Sequence, residues 1–369
     1  MRHHAHLTAL VLTAVAAIVA GACGGATQPA PTTAPTTAPT AAATAAPTAA
    51  PTAAPKPGEL DKATIDKAKQ EGKLTFYTSL NEDDAKFVIA EFNKAYPEIK
   101  VTLNRKSSEK IVAQFITEAK AGSVLADVLE TGGLDIAKPI KEGLIQEFRP
   151  PAADKFPDNL KDPKGLWTAA RLGIESIAWN TTLVKAEDAP KSFEDLADPK
   201  WKGKILIEST DVEVLLALAK LKFKDDAKTT DYLKKLAAND LQPSAGHTET
   251  LDLLIAGQRA VFWGAHGHTA ARKMKDGAPI DYMRTEGVLT VDGAVLPKGA
   301  PNVNAAKVFI NWYLGEDGQK AVAARKRVPA RPGIADPALM PKTTYVSGPE
   351  GIDDFAKYDK MWKDILGFQ

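Results

Sequence analysis

The sequence predicts an α/β fold for the part of the chain beyond about residue 58. From Leu60 onward, apolar runs of strand length alternate with longer stretches in which apolar residues recur at helical spacing. This alternation is typical of an open sheet that is covered by helices. The 369 residues are enough for two ordinary domains, and 44% hydrophobic and 25% charged residues are typical of globular proteins.

The first part of this region predicts three strands, each followed by a polar turn. We expect helices over 60–71, 83–96 and 109–121, and strands over 73–78, 99–104 and 127–129. A serine before a helix often only caps it. However, the carboxyl ends of strands face the ligand crevice in open α/β sheets, so these turns are candidates for ligand contact. The candidate residues are Ser79, Ser107, Ser108, Glu130 and Thr131.

A second group of candidates lies in the stretch 246–272. We expect a helix over 248–257, a strand over 260–263, a Gly-broken loop over 264–268 and a new helix from Thr269. Every histidine beyond residue 6 lies here, as His247, His266 and His268. One lies at a helix start and two in a strand-to-helix loop, where backbone N–H groups also face a ligand. This grouping favours a ligand cleft over three unrelated solvated side chains.

The N-terminal residues predict export and a lipid anchor. Arg2 precedes an apolar run, 7–19, of signal-peptide length, too short to span a membrane. The run ends in small residues before Cys23, as in the lipobox of bacterial lipoproteins, although Ala20 stands where Leu is usual. We therefore expect a signal peptide over 1–22 and a lipidated Cys23. Residues 23–58 are rich in Ala, Pro and Thr and predict an extended, disordered stalk.

Composition and motifs exclude several functions. A net charge of +1 gives no general attraction to nucleic acid or to anionic membranes, so we expect membrane contact only through the lipid. The single cysteine excludes an intramolecular disulfide. No Gly-x-Ser-x-Gly, HExxH or P-loop motif occurs, and we expect neither an enzyme nor a cofactor.

Several segments together resemble the bacterial extracellular solute-binding proteins of family 1, and more narrowly the group that contains the ferric-iron-binding proteins of ABC importers. The resemblance covers essentially all of the chain beyond the stalk. The segments are FNKAYPEIKVTL, ADVLETGGLDIAKPIKEGLIQEF, WTAARLGIESIAWN, SFEDLADPKWKGKI, and NAAKVFINWYLGEDGQKAVA followed by RVPARPGI.

The resemblance implies a two-lobed periplasmic-binding-protein fold of type II. Each lobe would be an open mixed sheet flanked by helices, and two hinge strands would cross between the lobes, near 169–173 and 281–287. Lobe 1 would comprise 59–168 plus about 285–330, and lobe 2 would comprise 169–284. The helices of 331–369 would pack across both lobes.

The resemblance also bears on the ligand, because the family's iron binders hold ferric ion with two adjacent tyrosines after the strand matched by 260–263. This chain has His266-Gly267-His268 there, and glycine where the iron binders have a first-lobe acid, so we do not expect free ferric ion. Relatives without the tyrosines bind organic anions or cations. The resemblance adds four candidate ligand contacts. Ser209 and Thr210 form a turn at the place where the iron binders hold an anion, Arg171 would clamp an anion, and Trp263 would form an apolar wall. A hinge salt bridge for Arg171 and a core position for Trp263 are the alternatives.

The predicted ligand is therefore a small organic anion, such as a phosphate or phosphonate ester or a carboxylate. Glu208, Asp211 and Glu213 surround the 209–210 turn and keep a cationic amine open as an alternative. A metal on His247, His266 and His268, or a ferric complex, is another. The resemblance implies a monomeric, lipid-anchored receptor that works with an ABC permease and ATPase at the outer face of the membrane. A stand-alone surface sensor or adhesin is the alternative class.

Overall fold

The structure is a computed structural model that describes residues 58–368, in which strands and helices alternate as expected. The signal peptide, Cys23 and the stalk up to residue 57 lie outside the described residues. The helices are α1 (Lys62–Glu71), α2 (Glu82–Ala95), α3 (Ser108–Lys120), α4 (Ala137–Lys141), α5 (Val212–Ala217), α6 (Asp226–Ala237), α7 (His247–Ile255), α8 (Gly267–Lys275), α9 (Val303–Leu314), α10 (Glu316–Ala324) and α11 (Ile352–Leu366). Among the described residues, no helix is both long and apolar enough to cross a membrane.

Twelve strands form a mixed sheet. They are β1 (Lys73–Thr78), β2 (Lys100–Arg105), β3 (Val128–Gly132), β4 (Ile145–Gln146), β5 (Thr168–Asn180), β6 (Ile205–Glu208), β7 (Gln242–Ser244), β8 (Val261–His266), β9 (Ile280–Tyr282), β10 (Glu286–Pro297), β11 (Val328–Pro329) and β12 (Thr343–Ser347). The main order is β2-β1-β3-β10-β5-β8-β6-β7. The outer strands β1 to β3 and β6 to β8 pair in parallel, whereas β10 and β5 pair antiparallel at the centre.

The two central strands connect two large hydrophobic cores, and a third, smaller core, which includes Leu206, Leu254 and Phe262, lies beside the second. Along β5, Ile174 belongs to the core that contains β1 and α9, whereas Ile177 belongs to the core that contains β6 and α5. Along β10, the change falls between Val288 and Leu289. The C-terminal segment contacts both cores, since Val346 packs on the first and Trp362 lies in the second. The lobe boundaries and the hinge remain predictions.

Two local predictions were wrong. The loop predicted over 264–268 does not exist, because Ala265 and His266 pair with Ser176 and Glu175 of β5 and extend β8 directly to the start of α8. The apolar pattern of 282–295 also predicts one continuous strand, but the strand is broken after Tyr282. Both parts pair with β5, and residues 283–285 lie between them, with the Met283 N–H donating to the Ile177 carbonyl.

Candidate functional site

A polar cavity of about 1100 Å³ lies between the two cores, beside the central strands and the carboxyl ends of the parallel strands. Most of the predicted site residues line this cavity. They are Ser79, Ser107, Ser108, Arg171, Thr210, His247, His266 and His268. The turns after β1, β2, β6 and β8 therefore meet at one place, as the open-sheet argument predicts.

Two predicted contacts, Glu130 and Thr131, lie beneath the cavity wall instead of on it. Both side chains are fully buried, and the Glu130 carboxylate accepts hydrogen bonds from Thr78 and from Arg171, with Nε–Oε1 at 2.9 Å. The second Arg171 partner is Asp292, at 2.6 Å from Nη1. Burial disfavours the Arg171 charge, but Asp292 and Glu130 outweigh it and raise the pKa of this guanidinium. Arg171 thus makes the alternative salt bridge and also lines the cavity.

Two other predicted contacts are also not on the cavity. Trp263 is fully buried, packs against Phe193 and Trp362, and donates its indole N–H to the Tyr232 hydroxyl at 2.8 Å. Trp263 is therefore a core residue, which was the alternative to an apolar cavity wall, because β8 is buried on both faces. The backbone carbonyl of Ser209 accepts a hydrogen bond from the Trp362 indole N–H at 2.8 Å. It does not line the cavity.

The three histidines form a row on one wall of the cavity. The rings of His247 and His266 stack with centroids 3.7 Å apart and 17° between planes, and His268 follows at 5.3 Å from His266. His247 Nε2 lies 2.8 Å from Asp211 Oδ1, and His266 Nε2 lies 3.3 Å from Glu175 Oε1. His247 is therefore hydrogen-bonded to a carboxylate, and His266 lies beside the carboxyl group of Glu175.

The environments of the three rings give them different charges. Burial opposes protonation of His247, but Asp211 outweighs it and raises the pKa of His247 to about 9. Burial and the neighbouring charged His247 hold the pKa of His266 well below its usual range. Burial and Arg327 lower the pKa of His268 to about 3. At neutral pH, His247 is charged, whereas His266 and His268 keep nitrogen lone pairs.

Two carboxylates on the floor of the cavity, Glu175 and Asp292, were not identified from the sequence, and a third, Glu213, was named only as an acid beside the 209–210 turn. Burial raises the pKa of Glu175 well above its usual range, against the attraction of His247. Burial also raises the pKa of Glu213 to about 8 and that of Asp292 to about 6. A signal was available for Glu175 and Asp292, because both are acidic residues in the interior of long, mostly apolar strands.

Glycines provide the space in which these carboxylates lie. A Cβ atom on Gly264 would lie 1.9 Å from Asp211 Oδ2, and one on Gly132 would lie 1.9 Å from Asp292 Oδ1. A Cβ atom on Gly133 would likewise lie 2.7 Å from Glu213 Oε2. The acids are thus packed against bare backbone, which fixes their positions toward the cavity.

Several buried polar atoms around the cavity have no hydrogen-bond partner among the described residues. They are Glu175 Oε2, Asp211 Oδ2 and His268 Nδ1. A buried polar atom without a partner costs free energy, so a ligand or water that supplies one is favoured. Glu175, His247 and His266 can each offer one ligand atom, all within 4.8 Å of one another, and this spacing suits a metal ion.

The wall across from the histidines has a different chemistry. It carries the Ser79, Ser107 and Ser108 hydroxyls and the Arg105 guanidinium. Ser107 precedes α3, but its side chain makes no capping hydrogen bond. Arg105 donates Nε to the Leu80 carbonyl at 3.1 Å and forms no salt bridge with another described residue. These groups are available as hydrogen-bond donors to an anion.

This fold, with a polar cavity between two cores joined by two long strands, is that of a periplasmic binding protein. The family model for the bacterial extracellular solute-binding proteins matches residues 88–346. The chain belongs to that family.

Relatives and solved structures agree with this fold. Iron uptake protein A2 of Synechocystis sp. is 26% identical over 320 residues, which cover 78% of this chain and 87% of the relative. A Trichodesmium protein (IdiA, FutA) in complex with iron and citrate superposes with a TM-score of 0.70 at 23% identity, over 81% of this chain and 100% of the other. AfuA of Actinobacillus pleuropneumoniae, with fructose-6-phosphate bound, gives 0.65 at 24% identity, over 81% and 99%.

Proposed function

We propose that this chain is the substrate-binding lipoprotein of an ABC importer and that its solute is a divalent metal ion carried as a complex with a small anion. Membership of the solute-binding family and the size of the cavity support capture of a solute. Cys23 supports a lipid anchor, which would keep the receptor at the outer face of the membrane beside its permease and ATPase. The names of its relatives describe binding and uptake proteins, not enzymes.

One observation carries the metal assignment, which is the convergence of Glu175, His247 and His266 within 4.8 Å. Asp211 holds His247 through Nε2, so a metal would bind at Nδ1 and displace the proton that this nitrogen carries at neutral pH. Metal-binding histidines commonly donate the N–H of their other ring nitrogen to a carboxylate in this way. Glu175 Oε2, which has no hydrogen-bond partner among the described residues, is a further ligand atom for the metal beside the two rings.

The donor set favours a divalent ion over ferric ion. Imidazole with carboxylate suits divalent first-row metals, whereas ferric ion prefers phenolate and carboxylate oxygens. Among the described residues, no tyrosine lines the cavity. An organic anion alone is a poorer match than the sequence suggested, because Asp211 and Asp292, whose pKa values of about 6 leave them charged at neutral pH, would repel it.

The second wall supports an accompanying anion. A cavity of about 1100 Å³ is much larger than a bare ion needs. Hydroxyls of Ser79, Ser107 and Ser108 with the Arg105 guanidinium would bind the phosphate or carboxylate part of a complex. The predicted organic anion would therefore bind as a co-ligand of the metal.

The proposal is tested by isothermal titration calorimetry of the purified chain. The titrants are Zn(II), Mn(II) and Co(II), each with and without citrate or phosphate. Ferric citrate, spermidine and fructose-6-phosphate are the comparison solutes. We expect saturable binding of a divalent ion, and at least tenfold weaker binding, about 1.4 kcal/mol, in Glu175→Gln and in His266→Ala.

The matched control is Glu249→Gln, which removes an exposed carboxylate from the rim of the same cavity. It should bind within twofold of the unchanged protein. Equal losses in Glu175→Gln and Glu249→Gln, or metal-independent binding of spermidine or fructose-6-phosphate, would show that the metal assignment is wrong. Uptake of the radioactive metal by cells with and without the gene separates an importer from a stand-alone sensor or adhesin.

A further inference from the structure

A second cavity, of about 560 Å³, lies at the end of the sheet opposite to the solute site. Its residues include Lys204 and Ala260, which directly precede β6 and β8. The histidines and Thr210 lie at the other ends of these same two parallel strands. The cavity is therefore separated from the solute site by the length of β6 and β8, and its volume is in the range of small-molecule pockets.

The charges that line this cavity are mostly positive. Lys185, Lys200, Lys204 and Arg259 line it, against one acid, Asp188. The three lysines form no salt bridge with another described residue. Arg259 is partly engaged, with Nε on the Gln242 amide oxygen at 3.0 Å and Nη1 3.7 Å from Asp240. The cavity therefore presents an excess of unpaired ammonium groups.

A buried donor without an acceptor belongs to the same cavity. Trp201 lines it and is 3% exposed, and its indole N–H has no hydrogen-bond partner among the described residues. Indole nitrogen is only a donor, so its missing partner is an acceptor atom. The Lys200 ammonium lies 5.0 Å from the centroid of the same ring, so the unpaired donor and an unpaired cation are adjacent.

The rest of the lining is apolar and open. Leu183 is 54% exposed, an unusual value for a leucine in the described part of the chain, and Val184 and Ala260 lie beside it. Gly257 lines the cavity next to Leu183. An occupant would thus meet ammonium groups and an N–H donor on one side and aliphatic surface on the other.

We propose that this cavity is a second binding site, which takes a small organic acid with one phosphate or carboxylate group on a short apolar body. The anionic group would lie between Lys200 and Lys204 and accept the Trp201 N–H. The apolar body would cover Leu183. This site is independent of the metal site and does not need the solute site to be occupied.

Titration calorimetry of the full chain with phenyl phosphate and with benzoate tests this inference. A Glu175→Gln/Arg105→Gln background removes a metal ligand and the guanidinium proposed to bind an anion in the solute site, so that binding there does not enter the signal. We expect binding to one site, at least tenfold weaker binding in the double variant Lys200→Gln/Lys204→Gln, and no saturation with benzylamine. The matched control is Lys220→Gln/Lys357→Gln, which removes two surface lysines that pair with Asp354 and Asp226 elsewhere. It should bind phenyl phosphate unchanged.

A second variant guards against an indirect effect of the lysine changes. Trp201→Phe keeps an aromatic ring but removes the N–H, and it should weaken phenyl phosphate severalfold while metal binding stays unchanged. Equal affinity in the two double-lysine variants, equal binding of benzylamine, or inorganic phosphate binding as tightly as phenyl phosphate would each overturn the inference.

Discussion

Replacement of Gly264 by alanine tests whether the glycine beneath Asp211 positions the histidine row. Gly264 has φ of +88°, and an added Cβ would lie 1.9 Å from Asp211 Oδ2. Gly277 has the same φ of +88°, but its added Cβ would have no atom within 4 Å. Comparison of Gly264→Ala with Gly277→Ala therefore separates the collision with Asp211 from the backbone strain that both variants share.

The expected magnitudes follow from these two terms. The positive φ costs an alanine about 1–2 kcal/mol in both variants. At position 264, the Asp211 carboxylate must also move, which breaks its 2.8 Å contact with His247. A hydrogen bond to a charged group contributes about 1.5–3 kcal/mol, so Gly264→Ala should be less stable than Gly277→Ala by about that amount.

Urea unfolding followed by tryptophan fluorescence measures the stabilities, and titration calorimetry with Zn(II) measures the effect on the site. Gly264→Ala should also bind the metal at least tenfold more weakly, because His247 loses the carboxylate that orients it, whereas Gly277→Ala should bind normally. Equal stability losses in the two variants together with intact metal binding in Gly264→Ala would refute the positioning role of this glycine.

Two further variants test other parts of the site. Because burial raises the pKa of Glu213 to about 8, the contribution of this acid to stability is complete below its ordinary value of 4.5 and is lost as pH rises to about 8. Glu213→Gln should remove this loss and be more stable than the unchanged protein at pH 9 by about 5 kcal/mol, with little difference at pH 4.5. Parallel stability profiles from pH 4.5 to 9 would contradict this. Trp263→Phe should lower the free energy of unfolding by about 1–3 kcal/mol, through lost packing and the lost bond to Tyr232, but leave metal affinity unchanged. Weaker metal binding without a loss of stability would show that Trp263 contacts the ligand and is not a core residue.

The histidine row was predictable because its positions depend on a general property of open sheets. Residues at the carboxyl ends of neighbouring parallel strands converge, and His247 and His266 lie at the start of α7 and the end of β8. The sequence also located Arg171 on a connecting strand. Its two partners, Glu130 and Asp292, come from β3 and β10. They depend on which strands lie side by side, and strand order is not visible in local periodicity.

The missed carboxylates have the same origin. Glu175 lies opposite His266 only because β5 and β8 pair antiparallel in one register, in which the two residues are Cα partners. A shift of that register by one residue would turn Glu175 to the other face of the sheet. Trp263 was ambiguous for a related reason. Its strand is buried on both faces, so alternation gives no indication of which side chains face a cavity.

The central strand β5 places Arg171, Gly173 and Glu175 at every second position, so all three lie on one face of the sheet. In β10, their respective Cα partners are Asp292, Thr290 and Val288. The strands that join the two cores therefore also form part of the cavity floor. A solute held by Glu175, as proposed, would contact the same strands that the hinge prediction expects to bend, so a few residues would couple occupancy to the conformation of the two cores.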